Sequence, residues 1–155
     1  MRHTPWLPLL ILLAPGCGKS EARSEPAATA VAGTDLTAFQ LEHGIGPVTE
    51  PIQLGPVDKL LAEEGAEIYT LKCSACHKMA ERYVGPPLGE VTVRRSPAFI
   101  MNQVLNPEEM YQRHPVVRQL LGEYMTQMPN LALTRDQARQ IVEYLRTQAS
   151  GRPGN

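Results

Sequence analysis

The most informative stretch of this chain is Cys73-Ser74-Ala75-Cys76-His77, in which a histidine directly follows two cysteines separated by two residues. At this spacing, both thiols can form thioether bonds to the vinyl groups of a haem while the adjacent imidazole binds the iron. The pentapeptide therefore predicts one covalent haem c, bound through Cys73 and Cys76, with His77 as an iron ligand. A haem held in this way indicates a protein that transfers electrons.

A Cys-x-x-Cys pair can also belong to a zinc site or to a redox dithiol, and each of these requires further features in the sequence. A structural zinc site takes four ligands, and no second Cys/His pair at similar spacing follows Cys76. A thioredoxin-like dithiol lies at the start of a helix that follows a buried strand, whereas the residues before Cys73 are patterned as a helix. Haem attachment is therefore the use of the pair that the surrounding sequence favours.

Three motifs occur in order along the chain: Cys73 to His77, Gly85-Pro86-Pro87-Leu88, and Met128-Pro129-Asn130. In this combination the chain resembles the small class I c-type cytochromes. The resemblance covers about residues 57 to 148, and it implies an all-α cytochrome c fold of four to five helices around one covalent haem. We therefore expect a cytochrome c domain over residues 57–149 and a C-terminal tail over residues 150–155.

The resemblance also implies roles for residues outside the pentapeptide. In the family, the carbonyl of the residue matching Pro86 accepts the N–H of the proximal imidazole, which is His77 here. Leu88 belongs to the same haem-binding segment. The methionine of the late loop, the second iron ligand of the family, corresponds to Met128.

The residues alone leave several candidates for this second ligand. Met128 precedes a proline, which favours the extended backbone that a ligand loop requires. Met79 is too close to His77 in the sequence to cross to the opposite side of a haem. The other candidates lie in predicted helices, at a helix end, between helices or in the N-terminal arm: Met101, Met110, Met125, His114 and His43.

Helical periodicity and capping residues predict five helices and no strand. They run from about Asp58 to Ala75, from Ser96 to Asn106, from Pro107 to Gln112, from Pro115 to Tyr124, and from Thr134 to Gln148. The predicted buried stripes are Leu60, Leu61, Ile68 and Leu71 on the first helix and Ala138, Ile141, Val142 and Leu145 on the last. In the family these two helices cross closely through a glycine and an aromatic residue, for which Gly65 and Tyr144 are the candidates.

The N-terminus carries the pattern of an export signal. A short basic start and an apolar stretch lead to Leu13-Ala14-Pro15-Gly16-Cys17, which resembles a bacterial lipobox whose cysteine is acylated. Because the other two cysteines are predicted to bind haem, acylation would give Cys17 a use. We therefore expect a lipoprotein signal peptide over residues 1–16, and a lipidated N-terminus, flexible linker and arm over residues 17–56. Ordinary cleavage near this point is the alternative, and it would leave a soluble protein.

Imidazole and thioether ligands on one iron leave no open position for a substrate, so we expect an electron carrier and no enzyme. A formal net charge of −1 gives no indication of nucleic-acid binding. The expected location is the periplasm, on a bacterial membrane through the lipid, and the expected partners are a quinol-oxidising donor complex and a terminal reductase or oxidase. A haem enzyme or a sensor with a displaceable second ligand is the alternative function.

Two features of the sequence indicate which redox partner the protein would use. Residues 91–97, 106–110 and 43–47 are similar to exported cytochromes associated with bacterial nitrous oxide reductase, which would make such a reductase the electron acceptor. Basic side chains near the haem motif could form a weak positive rim for a redox partner: Lys72, Lys78, Arg82, Arg94 and Arg95.

Overall fold

The computed structural model describes Met1 and residues 35–149. This part of the chain contains α1 (Ala38–His43), α2 (Lys59–Ile68) continuing into a π-helical turn (Tyr69–Cys73), α3 (Val91–Arg94), α4 (Pro97–Leu105), α5 (Pro107–Arg113), α6 (Pro115–Tyr124) and α7 (Arg135–Gln148). No β-strand element lies in residues 35–149, which confirms the all-α class. The fold has more helices than the predicted four to five because α1 and α3 are short additional helices.

Several sequence-based expectations lie outside the described residues. These are the body of the signal peptide, the acylation site Cys17, the flexible linker that follows it up to residue 34, and the tail from residue 150 to residue 155. Within residues 35–149, none of the helices has both the length and the apolar character needed to cross a bilayer.

Local side-chain chemistry explains where the principal helices begin. The Asp58 carboxylate accepts the N–H groups of Leu60 and Leu61, at 3.0 and 3.1 Å, and so caps α2. The Ser96 hydroxyl caps α4, which has Pro97 at its first position. A reciprocal capping box between Thr134 and Gln137 starts α7. These predicted helix starts are confirmed.

The first helix ends earlier than predicted. The α-helical hydrogen-bond pattern stops at Ile68, and the next five residues form a π-helical turn in which the Ser74 N–H donates to the Tyr69 carbonyl at 2.9 Å. This turn delivers Cys73 to a buried position, and the N–H groups of Cys76 and His77 then both donate to the Cys73 carbonyl. The haem-binding pentapeptide therefore continues from the end of the helix as a tight, hydrogen-bonded turn.

The crossing of α2 and α7 brings the first and last principal helices together. Gly65 lies against the backbone of Gln140 and the Cβ atom of Tyr144, so little beyond a hydrogen fits between the helices there. The rings of Tyr69 and Tyr144 lie 5.2 Å apart beside the crossing. The predicted pairing of Gly65 with Tyr144 is confirmed.

The predicted buried stripe of α2 is wrong at two positions. Leu60 and Leu71 are 73% and 82% exposed. The buried side is formed instead by Ala62 and Gly65, whose small size allows a close helix crossing, and by Tyr69 of the π-helical turn, whose ring lies beside the crossing. The stripe of α7 is confirmed, since Ala138, Ile141, Val142 and Leu145 are all buried.

The described residues form two adjoining apolar cores. The first lies between α4 and α7, where Met101, Val104, Ile141 and Leu145 are among its buried members. The second lies beneath the described part of the N-terminal arm, residues 35–56, and contains Leu36, Ile45, Phe99, Met110 and Val117. The arm therefore packs on the domain and supplies part of its core.

The arm is held by buried polar side chains. The Asn102 amide accepts the Val48 N–H at 2.9 Å and donates to the carbonyls of His43 and Val48 at 3.0 and 2.9 Å. At the other end of the arm, Arg146 donates to the Gly55 carbonyl at 2.7 Å and to the fully buried Glu143 carboxylate. These bonds fix the arm because a buried polar group left without a partner would be costly.

Candidate haem site

A cavity of about 520 Å³ lies between the π-helical turn, α4, α6, α7 and the loops at residues 84–88 and 126–131. Apolar side chains form most of its wall, including Phe99, Ile100, Ile141 and Leu145. The residues that carry chemistry line the same cavity: Cys73, Cys76, His77, Pro86, Leu88 and Met128. The structure therefore brings every haem-site residue that the sequence predicted to one apolar pocket.

His77 is oriented by the loop that follows it. Its Nδ1 atom lies 2.9 Å from the Pro86 carbonyl oxygen, which can only accept a hydrogen bond. Nδ1 therefore carries the proton, and Nε2 keeps the lone pair that a metal ligand needs. The Tyr69 hydroxyl also donates to the His77 carbonyl at 2.7 Å, which ties this residue to the crossing helix.

Gly85 allows the loop to approach the imidazole closely. A Cβ atom at Gly85 would lie 2.8 Å from Nδ1 and 3.0 Å from Nε2 of His77, closer than side-chain packing permits. The loop is closed by backbone bonds from Gly85 to Cys76 at 2.8 Å and from Leu88 to Lys78 at 2.9 Å. These contacts place the Pro86 carbonyl beside the ring.

The two thiols differ in environment and are not joined by a disulfide. Cys73 is buried and Cys76 is exposed. Burial raises the pKa of the Cys73 thiol to about 11, so a free thiol at this position would stay protonated at neutral pH. Because the thiolate is the reactive form in disulfide exchange, this environment disfavours a redox dithiol.

A zinc site gains no support either. Within Met1 and residues 35–149, no three side chains of His, Cys, Asp or Glu are grouped so that they could hold a metal ion. A zinc site built on Cys73 and Cys76 would need such a group.

Met128 faces the cavity from the loop between α6 and α7. The loop begins at Met125 and includes Ala132, which have left-handed backbone φ values of 53° and 51°. The Asn130 side chain accepts the Ala132 N–H at 3.0 Å and so holds the loop's shape. Met128 is partly buried against the first core, with its sulfur 3.8 Å from Nε2 of Gln103.

The other candidate ligands lie elsewhere among residues 35–149. Met125 is 82% exposed, while Met101 and Met110 are fully buried in the two cores. His43 bonds to the Ser96 hydroxyl, and His114 bonds to the Leu41 carbonyl. None of them lines the cavity, and neither does Met79.

The donor set and the wall of the cavity fit haem c. The two thiols of the Cys-x-x-Cys motif, one imidazole nitrogen and one thioether sulfur meet at an apolar pocket of suitable volume. Lys72, Arg94 and Arg95 add positive charge at the cavity wall, where anionic propionates of a haem would be favourable. Arg94 also donates to the Pro87 carbonyl at 3.0 Å.

Two residues at the site were missed by sequence reasoning. Tyr69 lines the cavity and bonds to His77, but its role depends on the π-helical turn, which has no sequence signal. Gln103 contacts the Met128 sulfur from α4. A signal for Gln103 was present, because it is one of two polar residues within an otherwise apolar helical run.

Comparisons with known proteins identify the family and the fold. The family model for cytochrome c matches residues 62–149. Cytochrome c from Rhodothermus marinus is 47% identical, with a TM-score of 0.68 over 73% of this chain and 97% of that chain. An engineered form of the Rhodothermus marinus protein bound to a carbene intermediate is also 47% identical, with a TM-score of 0.66 over 72% of this chain and 97% of that one. No curated protein matches the chain.

The family match extends over more than half of the chain, and the similar solved structures have the same helical fold. The chain therefore belongs to the cytochrome c family, whose members carry one covalently bound haem c.

Proposed function

We propose that this protein is an exported one-electron carrier in which His77 and Met128 are the two axial ligands of a haem c bound through Cys73 and Cys76. The observation that carries the proposal is the shared cavity, in which both thiols, the oriented imidazole and the thioether line one apolar pocket. A bound haem c supplies a one-electron couple between ferrous and ferric iron.

The protein side chains set the character of that couple. His77 offers a nitrogen whose orientation and basicity are fixed by the Pro86 carbonyl. Met128 offers a weak thioether donor, which favours the ferrous state and a higher reduction potential than a second imidazole would give. With both axial positions filled by protein, no position remains for a substrate, so electron carriage is favoured over catalysis.

The proposed location is the periplasm, with the protein tethered to a bacterial membrane through an acylated Cys17. The lipobox-like sequence Leu13 to Cys17 supports this proposal, together with the Ala-, Ser-, Glu- and Pro-rich segment from Ser20 to Gly33, which suits a tether. In that position the carrier would accept electrons from a quinol-oxidising complex and pass them to a terminal reductase or oxidase. Residues 43–47, 91–97 and 106–110 resemble exported cytochromes associated with bacterial nitrous oxide reductase, and this resemblance supports nitrous oxide reductase as such an acceptor.

A haem enzyme or sensor is the second candidate function. An engineered cytochrome c from Rhodothermus marinus bound to a carbene intermediate favours this alternative, although that ligand belongs to the engineered protein. For this chain, either role would require Met128 to leave the iron.

Carbon monoxide binding separates the two candidates. The reduced holoprotein is exposed to carbon monoxide at neutral pH and followed by absorbance, with Met128→Ala as the matched open-site control. We expect no spectral change in the native protein and rapid binding in the variant. Stoichiometric binding by the native protein at the variant's rate would contradict the carrier function.

The proposed tether has a separate test. Mass spectrometry of the mature protein should show the added masses of one haem and of acyl chains on Cys17, and Cys17→Ser should release the haem protein from the membrane fraction. A mature native protein that lacks the acyl mass would refute the tether and leave the carrier function standing.

A further inference from the structure

Arg82 joins the segment that carries His77 to the segment that carries Met128. Its Nη1 atom donates to the Glu123 carboxylate at 2.9 Å, and its Nη2 atom donates to the Glu123 carbonyl at 2.7 Å. Its Cζ atom lies over the ring of Tyr124, 4.2 Å from the ring centroid. One side chain therefore makes three contacts between the two segments.

On the histidine side, Arg82 belongs to the loop that orients the imidazole. Three residues after it, Gly85 donates its N–H to the Cys76 carbonyl at 2.8 Å and lies against the ring of His77. This loop is therefore fixed to the haem-binding pentapeptide, and it offers Arg82 a firm base from which to hold another segment.

On the methionine side, Arg82 contacts the point where the methionine loop, residues 125–131, leaves α6. The helix ends at Tyr124, and Met125 follows with a left-handed φ of 53°. The Glu123 carbonyl lies in the last helical turn, where carbonyls lack partners within the helix. Arg82 supplies a donor to this carbonyl and a positive charge at the negative end of the helix dipole.

The position of these contacts suits control of a local motion better than support of the whole fold. The side chains of Arg82 and Glu123 are 55% and 48% exposed, and exposed ion pairs contribute little to global stability. Local opening has a smaller free energy than global unfolding, so the same contacts can matter more there. A loop whose first residue is anchored also has fewer open conformations than one whose preceding helical turn can unwind.

We propose that Arg82 is a positioning residue that holds the methionine loop closed over the haem cavity. Its contacts with Glu123 and Tyr124 keep the last turn of α6 wound, which restricts the loop and keeps Met128 at the cavity. Arg82 therefore slows the departure of Met128 from the iron and limits the access of external ligands. This inference rests on the proposed ligation of the iron by Met128.

The test is Arg82→Met in the full haem-loaded protein, with imidazole as the probe. Imidazole can bind ferric iron only after Met128 has left it, so the rate of the spectral change at saturating imidazole reports the opening of the loop. At mildly alkaline pH the probe is uncharged, and the lost charge of Arg82 does not alter its approach. We expect the opening rate to rise about threefold to tenfold, the range for loss of an exposed ion pair and a cation–π contact.

The matched control is Arg118→Met. Arg118 is exposed on the same helix, and its side chain makes no hydrogen bond or ion pair within residues 35–149. This control should open at the native rate. Arg82→Lys keeps the charge but not the planar fork that reaches both oxygens of Glu123, so its rate should lie between those of the native protein and Arg82→Met.

Hydrogen exchange separates loop opening from a general loss of stability. The Met125 N–H donates to the Leu121 carbonyl at 2.9 Å, so its exchange reports the last turn of α6. In Arg82→Met this amide should exchange faster, while the Ile141 amide of α7 and the midpoint of chemical unfolding should match the control. Equal acceleration at both amides with a lower midpoint would show a purely structural role and overturn the inference.

The outcomes also distinguish this inference from the proposed function. A native protein without the ferric band of methionine sulfur on iron would refute ligation by Met128 itself. If the native protein has the band and Arg82→Met opens at the native rate, the role of Arg82 is refuted and the His77/Met128 assignment stands. Equal acceleration by Arg118→Met would assign the effect to lost surface charge and would refute the role of Arg82 as well.

Discussion

Gly65 on α2 lies directly against the carbonyl oxygen of Gln140 on α7, so that a Cβ atom at position 65 would overlap it. The same Cβ atom would also lie 2.9 Å from Cβ of Tyr144. The two helices therefore meet backbone to backbone. Because α2 leads through the π-helical turn to Cys73, and α7 supplies Ile141 and Leu145 to the cavity, this contact fixes two walls of the haem site relative to each other.

Replacing Gly65 with alanine should separate these helices. The added methyl group would meet the backbone of Gln140, which no side-chain rotation can move away. Gly65→Ala should therefore lower the free energy of unfolding by about 1–3 kcal/mol. Denaturant unfolding of the holoprotein measures this. Gly122→Ala is the control, because a Cβ atom there meets nothing within 4 Å and should stabilise α6 by up to about 1 kcal/mol. Equal effects of the two substitutions would refute a tight crossing.

Glu143 should be essential for stability because it is fully buried among charges. Its carboxylate accepts from Arg139 and Arg146 and from the Asp58 N–H. Glu143→Gln would leave the nearly buried Arg146 without its counter-charge, so we expect a loss of about 3–5 kcal/mol in the free energy of unfolding.

The matched control is Glu123→Gln, which changes an exposed ion pair with Arg82 and should cost less than about 1 kcal/mol. Thermal or chemical unfolding of both variants at neutral pH gives the comparison. If Glu143→Gln were as mild as the control, the buried network would contribute little to the fold.

Asn102 should hold the N-terminal arm in place. Asn102→Leu keeps the approximate size of the side chain but leaves the Val48 N–H and the His43 and Val48 carbonyls without this partner. We expect a loss of at least about 2 kcal/mol in the free energy of unfolding. Hydrogen exchange should accelerate most at Val48 and much less at Ile141 on α7; a uniform acceleration would mean that Asn102 stabilises the whole domain and has no special role at the arm.

His114 should make stability depend on pH. It is fully buried, Nε2 donates to the Leu41 carbonyl, and Nδ1 has no partner among the described residues. Burial lowers the pKa of His114 below its ordinary value of 6.5, and the charge of Arg95 lowers it further. As the pH falls below 6.5, the unfolded chain takes up a proton that the folded protein excludes, so stability decreases as the pH falls.

The measurement is the free energy of unfolding of the holoprotein from pH 7.5 to 5, compared with His114→Gln. The native protein should lose stability more steeply, by at most about 1.4 kcal/mol per pH unit relative to the variant. Other titrating groups are common to both proteins and cancel in the difference. Parallel curves would show that folded His114 accepts a proton as readily as the unfolded chain does.

The parts of the fold that sequence predicted well are those decided by neighbouring residues. Asp58, Ser96 and Thr134 cap their helices through bonds to residues within three positions, so the chain alone specifies these starts. The stripe of α7 was also predictable, because one large apolar face packs on the core.

The errors arose where a distant contact decides the outcome. Leu60 and Leu71 were expected to be buried because they are large and apolar, but α2 meets α7 through small residues around Gly65. Helix α1 was missed although Thr37 and Gln40 form a capping box, because it has six residues and depends on packing against the domain. The π-helical turn has no periodic signature to read.

For the haem site, the sequence motifs predicted which residues line the cavity, and the family resemblance implied the bond between the Pro86 carbonyl and His77 that the structure shows. The contacts of Tyr69 and Gln103 could not be predicted in this way. The order of Cys73, His77 and Met128 along the chain indicated the donor set. The approach of Gln103 to the Met128 sulfur depends on how α4 packs beneath the loop, which spacing does not determine.

The central claim is that Met128 and His77 bind the iron together, and the ferric absorption spectrum of the purified holoprotein tests it most directly. We predict the long-wavelength band of methionine sulfur on ferric haem in the native protein and in Met125→Ala, whose altered side chain is exposed. The band should be absent in Met128→Ala, with a lower reduction potential. A Met128→Ala protein that keeps the native band would contradict the account.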